Sequence, residues 1–322
     1  MLPPKDQLTI CFAHVAYQLQ ARFELRAAGI ASFQVWSRDE LDALVGDADV
    51  LVISGLWHDG LLDRAGRLRF IQSIGAGVDQ FPAAELARRG IRLASARGVN
   101  ARAVSDHAMA LILALARRLP EARDNQARAH WRPMISDLDG REDELGGKTL
   151  LVVGLGGIGD RIARRAKAFD MAVIGVRRDP AQGKGHADSV HGLGEMKSLL
   201  PRADYVALAC PLTPETENLM DADAFGAMKD GAYLVNVARG RCVDEAALAR
   251  ALDAGRIAGA AIDVTVEEPL AASSPLWAMP NVLITPHTGG ETRRYEDNVL
   301  DILADNLDRL WHGEPALRNQ VV

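Results

Sequence analysis

The string GLGGIG at residues 154–159 follows an apolar run, Thr149–Val153, and opens a stretch in which Ile162, Ala163 and Ala166 share one helical face. No other feature restricts the fold as much. Gly154 makes the strand-to-helix turn tight, Gly156 lets the backbone approach a pyrophosphate, and Gly159 permits close packing of helix on strand. The helical pattern runs over Ile158–Phe169, and at its N-terminus, with Gly157 beside Ile158, unpaired N–H donors and positive potential face the phosphates. The strand before and the helical pattern after set this turn apart from a chance run of glycines. Together they point to a dinucleotide-binding βαβ unit.

That unit sits within a longer alternation. Leu8–Ala13, Phe33–Trp36, Val50–Ser54, Phe70–Ile74 and Ile91–Ala94 read as strands separated by amphipathic stretches, which implies a parallel sheet. A second series begins at Thr149–Val153 and continues at Ala172–Val176, Tyr205–Ala209, Tyr233–Val237, Ala258–Ile262 and Val282–Thr285. Between the two series, Ala101–Arg118 is apolar around its circumference and is expected to be a helix buried on most sides. A last helical pattern, Arg293–Trp311, follows once the second sheet is complete, so it is expected to return to the first domain. The fold expected is α/β, with two doubly wound parallel-sheet domains: a Rossmann cofactor domain at 101–292 inserted in a flavodoxin-like substrate domain at 1–100 and 293–322. Such a layout implies a cleft between the domains, with ligand at the carboxyl ends of the strands.

A length of 322 residues suits two domains, and 48% hydrophobic with 25% charged residues is the composition of a globular protein. The net charge of −6 argues against a polyanion-binding surface, so nucleic acid is not expected as a partner. Cys11, Cys210 and Cys242 lie far apart in sequence without zinc spacing, which reads as reduced thiols of a cytoplasmic protein and as no metal site. The start of the chain has no signal-peptide pattern, and the longest apolar run, Ala108–Ala116, is too short to span a membrane.

Three residues at strand ends carry the chemistry. Arg239 follows the run Tyr233–Ala238 and precedes Gly240, so its planar fork is placed to grip a carboxylate. His287 follows another strand and is flanked by Pro286 and Gly289-Gly290, a suitable place for a proton donor. Glu268 could orient and charge-stabilise that imidazole. After the second cofactor-domain strand the chain reads Val176-Arg177-Arg178-Asp179 where an acidic residue would accept ribose hydroxyls. Arg177 and Arg178 suit a 2′-phosphate, so NADP(H) is the expected cofactor; NAD(H) is the alternative if Asp179 does the recognition.

The strings SIGAGVD (73–79), GLGGIG, CPLTPET (210–216), NVARG (236–240), DVTVEEP (263–269) and TPHTGG (285–290) resemble the D-isomer-specific 2-hydroxyacid dehydrogenase family, which includes glyoxylate/hydroxypyruvate reductases and phosphoglycerate dehydrogenases. The resemblance covers essentially the whole chain. It implies an Arg239–Glu268–His287 triad and substrate carboxylate capture by backbone N–H groups of Gly75, Ala76 and Gly77. It also implies a nicotinamide carboxamide held near Asp263, with Val237, Ala238 and Gly289 on the cofactor side, and Cys210 and Pro211 lining the adenine or ribose. Family members are usually dimers, so a homodimer is expected. Asp106 stands where many members carry Glu, and Thr265 where an aromatic is common.

The activity implied is NAD(P)H-dependent reduction of a small 2-keto acid, glyoxylate or hydroxypyruvate in type, to the D-2-hydroxy acid. Bulkier acids such as phenylpyruvate are the alternative substrates, and a non-catalytic dinucleotide-sensing interaction protein is the alternative of another class. Trp57, beside His58 on the loop after Val50–Ser54, is a candidate substrate wall or a residue packing that loop down. Trp131 either reaches across a dimer or anchors its own loop. His107, on the apolar linker helix, reads as a satisfied core histidine.

Overall fold

The computed structural model describes residues 2–26, 28–138 and 140–322. The chain divides into two compact units, residues 1–100 with 292–322, and residues 101–291.

The first unit is a five-stranded sheet of β1 (Thr9–Ala13), β2 (Ala31–Val35), β3 (Val50–Ile53), β4 (Phe70–Ser73) and β5 (Arg92–Ala94). Its order is β2-β1-β3-β4-β5 and every pairing is parallel. β3 and β4 are buried at every position, as continuous apolar runs covered on both faces require. The helix Tyr295–Trp311 packs here: its buried residues Tyr295, Val299, Leu300, Ile302, Leu303, Asn306 and Leu307 repeat at helical spacing and join the cluster formed by Ile10, Phe12, Val52 and Phe70.

Two polar groups secure that return. The Tyr295 hydroxyl donates to the Ile74 carbonyl at 2.9 Å. Fully buried Asn306 donates to Gln72 Oε1 at 3.0 Å and accepts from the Arg318 N–H at 2.7 Å, while Gln72, also fully buried, donates to the Ser73 and Ala94 carbonyls.

The second unit contains β6 (Thr149–Val153), β7 (Ala172–Val176), β8 (Ser189–His191), β9 (Tyr205–Leu208), β10 (Tyr233–Asn236), β11 (Gly259–Ile262) and β12 (Val282–Ile284). They form one parallel sheet in the order β12-β11-β10-β9-β6-β7-β8. Because β6 leads outward to β7 while β9 leads outward to β10, the carboxyl ends of β6 and β9 flank the point at which the strand order reverses, where open α/β sheets bind ligands. The sheet carries the helices Ala101–Ala116 and Gly157–Lys167 over one apolar cluster and Ala222–Ala227 and Glu245–Asp253 over the other.

The structure adds two elements to the expected set and refines one helix. β8 was not anticipated, because a three-residue edge strand of intermediate burial carries little apolar signal. Nor was the helix Leu119–Ala127, which has no buried residue and hence no apolar period. The helix Ala101–Ala116 is buried over a broad face but leaves Arg102, Asp106 and Ala110 exposed in a stripe, with Asp106 paired to Arg165.

Asn306→Leu should strand the Arg318 N–H and Gln72 Oε1 in the first unit's core, at roughly 1–3 kcal/mol for each group left unpaired. Urea unfolding should show a loss of at least about 2 kcal/mol, against less than about 0.5 kcal/mol for exposed Asp308→Ala. Equal losses would remove the Asn306 network from the account of how the returning helix is held.

Candidate active site

The phosphate turn is built by close approach. Gly154 has φ +98°, and a Cβ there would lie 2.5 Å from the Cys210 nitrogen, so only glycine lets the end of β6 meet the end of β9. A Cβ on Gly159 would lie 2.2 Å from the Gly154 carbonyl oxygen. At Gly156 and Gly157 a Cβ would meet nothing within 4 Å. The N–H groups of Gly157, Ile158 and Gly159 have no partner among the described residues. An open backbone surface with unpaired donors at a helix N-terminus fits a dinucleotide pyrophosphate. Beside it, Thr216 braces the CPLTPET loop by donating to the Pro211 carbonyl at 2.7 Å and accepting from the Thr213 N–H.

After β7, the Arg177 guanidinium donates to the Gly183 carbonyl at 2.9 Å and to Gln182 Oε1 at 2.6 Å, and Arg178 is exposed. Asp179 instead accepts from the Ala181 N–H at 3.0 Å and from Gln182, capping the short turn Pro180–Gln182. Its carboxylate is engaged in local structure.

Arg239 follows β10 in extended conformation and is exposed. Asn236, buried beneath it, donates to the Arg239 carbonyl at 3.1 Å and accepts from the Ala238 N–H at 3.0 Å, shaping the Val237–Arg239 turn. The guanidinium donates to the Ala238 carbonyl at 2.7 Å, and no carboxylate among the described residues lies against it. Next to it, a Cβ on Gly240 would lie 2.0 Å from the carbonyl carbon of Thr265. Glycine therefore brings the loop that carries Glu268 against the turn that carries Arg239.

Glu268 accepts from the Thr265 N–H through Oε1 at 3.1 Å and holds His287 Nδ1 through Oε2 at 2.7 Å. His287 itself lies at φ +56°, in the left-handed region that non-glycine residues rarely occupy. Its imidazole is about half exposed, and among the described residues Nε2 makes no hydrogen bond. With Nδ1 held by a carboxylate, Nε2 is the ring nitrogen left free for proton exchange.

Asp263, at the end of β11 and 4% exposed, lies under this turn. Its Oδ1 accepts from the Thr285 hydroxyl at 2.6 Å and the Thr288 N–H at 3.0 Å, and Oδ2 from the Gly289 N–H at 3.0 Å. Burial is the largest influence on its acidity and pushes it upward, but hydrogen bonds from His107, Thr285 and Gly289 outweigh burial and hold the carboxyl below its usual value.

In the first unit, the loop after β4 presents the N–H groups of Gly75, Ala76 and Gly77 without a partner among the described residues, while the Gly75 carbonyl accepts from Ala96 and from Ser73. Consecutive free N–H groups suit an anion. Trp57 is 6% exposed and packs on Phe81 at 4.8 Å, the contact expected of a residue that packs its loop down.

Sequence reasoning missed two features. Asn236 was legible only as a polar residue inside an apolar strand. Cys210 and Cys242, 32 positions apart in the chain, are brought together with their thiols hydrogen-bonded: that contact and burial push Cys210 up, and the same contact holds Cys242 down. Among the described residues no group of three or more His, Cys, Asp or Glu could hold a metal, and no helix is long and apolar enough to cross a membrane.

Residues 109–289 match the family model described as D-isomer specific 2-hydroxyacid dehydrogenase, NAD binding domain. The chain belongs to this family. It is 37% identical over 286 residues to a D-3-phosphoglycerate dehydrogenase of Methanocaldococcus jannaschii, covering 87% of this chain and 53% of that protein, so it spans about half the length of that relative. It is 36% identical over 294 residues to a glyoxylate reductase of Pyrococcus furiosus, covering 88% of this chain and 86% of that protein. A similar solved structure is an NADPH-dependent glyoxylate/hydroxypyruvate reductase of Sinorhizobium meliloti in complex with NADP and malonate: 28% identity, TM-score 0.79, covering 98% of this chain and 97% of that chain.

The acidity of Asp263 gives a pH test. A carboxyl lowered by folding stabilises fully at pH values above its unfolded value, near 4, and that stabilisation is lost as pH falls through the lower folded value. Wild type should therefore resist urea better than Asp263→Asn at pH 7, and the two midpoints should converge towards pH 3. A gap independent of pH would mean the amide's packing, not the carboxylate's charge, sets the difference.

Proposed function

We propose that this protein reduces a small 2-keto acid of the glyoxylate or hydroxypyruvate type to the D-2-hydroxy acid, using NADPH in preference to NADH. The observation that carries the reading is the His287–Glu268 contact at 2.7 Å, which leaves Nε2 as the imidazole's free nitrogen in a turn beside the cofactor-binding strands. When bound, the reduced nicotinamide supplies the hydride. The protein's own part is to hold the carboxylate and deliver a proton. Arg239 provides a guanidinium that no carboxylate among the described residues engages, placed to hold the substrate carboxylate. His287 Nε2–H protonates the carbonyl oxygen, and Glu268 keeps the ring oriented through Nδ1. Gly157–Gly159 hold the pyrophosphate, and Asp263 with Gly289 the carboxamide.

The reductase relatives support this direction and substrate class. Support for NADPH comes from Arg177, a guanidinium just after β7 held by Gln182 and Gly183, and from Asp179, whose carboxylate is occupied in capping. We further propose a cytoplasmic homodimer. Its support is the apolar exposure gathered between the linker helix and β6, where Trp131 and Met134 are each 96% exposed and Leu138 73%. Trp131 does not anchor its own loop.

Activity is read as absorbance of the reduced nicotinamide while 2-keto acids of increasing bulk are offered with each cofactor. Arg239→Ala should cut kcat/KM by at least about a hundredfold, the order for losing one charge-stabilising donor, while NADPH binding stays within about threefold of wild type. Retained turnover at saturation with weakened cofactor binding would reassign this arginine to the cofactor.

Arg177→Asp tests cofactor choice. Wild type should prefer NADPH by at least about tenfold, as one charge-assisted contact of ~1.5–3 kcal/mol implies. The variant should prefer NADH, because the new carboxylate accepts ribose hydroxyls and repels the phosphate. Both ratios are measured at one ionic strength. Equal use of the two cofactors by wild type would sink the assignment.

A further inference from the structure

The linker helix carries a histidine that the proposed chemistry does not use. His107 Nε2 stands 2.9 Å from the Thr285 hydroxyl oxygen and 3.4 Å from Asp263 Oδ1. The Thr285 hydroxyl has one proton, and at 2.6 Å from a buried carboxylate that accepts two backbone N–H groups, it donates that proton to Asp263. Thr285 must therefore accept from His107, so the proton on this imidazole is fixed at Nε2. The contact is close-fitting as well: a Cβ on Gly289 would lie 2.7 Å from Asp263 Oδ2 and 2.9 Å from His107 Cδ2.

The chain of donors runs from the helix to the catalytic turn. Asp263 holds the N–H groups of Thr288 and Gly289, the two residues after His287, and the His287 N–H itself donates to the Thr285 carbonyl at 3.0 Å. Thr285 thus meets His107 through its side chain and His287 through its backbone. We propose that His107 is a positioning residue that fixes Thr285 on Asp263 and so holds the left-handed turn that presents His287. The proposal rests on the reading of His287 as the proton donor, and it assigns the linker helix a direct part in the site's geometry.

The test compares wild type with His107→Leu, His107→Gln and Thr285→Val. Leucine fills the space without a donor, glutamine restores an N–H in the place of Nε2, and valine removes the hydroxyl at nearly constant shape. His107→Leu and Thr285→Val should each lower kcat at least about tenfold, as misplacement of a reacting group does, with KM for the keto acid changed less than about threefold. His107→Gln should recover kcat to within about threefold of wild type. In cofactor-free protein, the His287 ring resonances in a histidine-selective 15N spectrum should shift in the leucine and valine variants and return towards wild type with glutamine. Should His107→Leu fail to fold, Thr285→Val decides alone.

If His287 signals and kcat are unmoved by loss of the Thr285 hydroxyl, or if glutamine is as impaired as leucine, His107 only fills space and the proposal is overturned. If wild type turns over no 2-keto acid at all, the functional reading fails, and the His287 spectrum still decides whether His107 sets the turn.

Discussion

The interaction on which this molecule's site depends is the burial of one carboxylate. Asp263 is 4% exposed at the end of β11, and an ion taken out of water costs several kcal/mol unless its oxygens are satisfied. Its partners come from two places in the chain: a hydroxyl and two backbone N–H groups from residues 285–289, and an imidazole from the helix Ala101–Ala116. A charge that needs all of these donors allows the segment after β12 very little choice of path. The position of His287 follows from satisfying Asp263, rather than from any preference of His287 itself.

Glycine provides the second constraint, by removing side chains where strand ends must converge. Gly154 meets Cys210, Gly240 meets Thr265, and Gly259 meets the Asn281 carbonyl, each at a distance that a Cβ could not share. These contacts join β6 to β9, the β10 turn to the loop after β11, and β11 to the approach of β12. The phosphate turn, Arg239, Glu268 and His287 are therefore neighbours along one sheet edge because backbones touch there. Side-chain contacts then refine what backbone contact has set: Asn236 shapes the Arg239 turn, and Glu245 accepts from the Val266 N–H at 2.6 Å.

Periodicity made most of this visible in the sequence. Eleven strands announce themselves as short apolar runs, the glycine motif as a turn in the right context, and the returning helix by its regular buried face. The features that stayed hidden are those in which burial and sequence pattern part company. β8 is too short and too half-buried to carry an apolar signature, and the helix Leu119–Ala127 buries nothing. Trp57, on a strand-end loop, reads in sequence equally as a ligand wall or as a residue packing that loop, and its contact with Phe81 depends on a fold that local pattern does not give. The meeting of Cys210 with Cys242 depends on which strands are neighbours, and strand order is not written in local pattern. Asp263 was legible only through family likeness; Thr285, which donates to it, and His107, which stands behind Thr285, lie 22 and 156 positions away.

The energetics of the His287–Glu268 pair bear on what it is for. Both side chains are more than a third exposed, and at that exposure an ion pair contributes only about 0–1 kcal/mol to folding. Holding His287 at φ +56° costs roughly 1–3 kcal/mol. The pair therefore does not repay its own geometry in stability, and the turn persists because the buried Asp263 network behind it over-determines the backbone. A strained residue held open to solvent by a rigid buried anchor, with one ring nitrogen occupied and the other free, is an arrangement that folding alone has no reason to favour. Proton delivery at a fixed point, the role proposed for His287, would give it one.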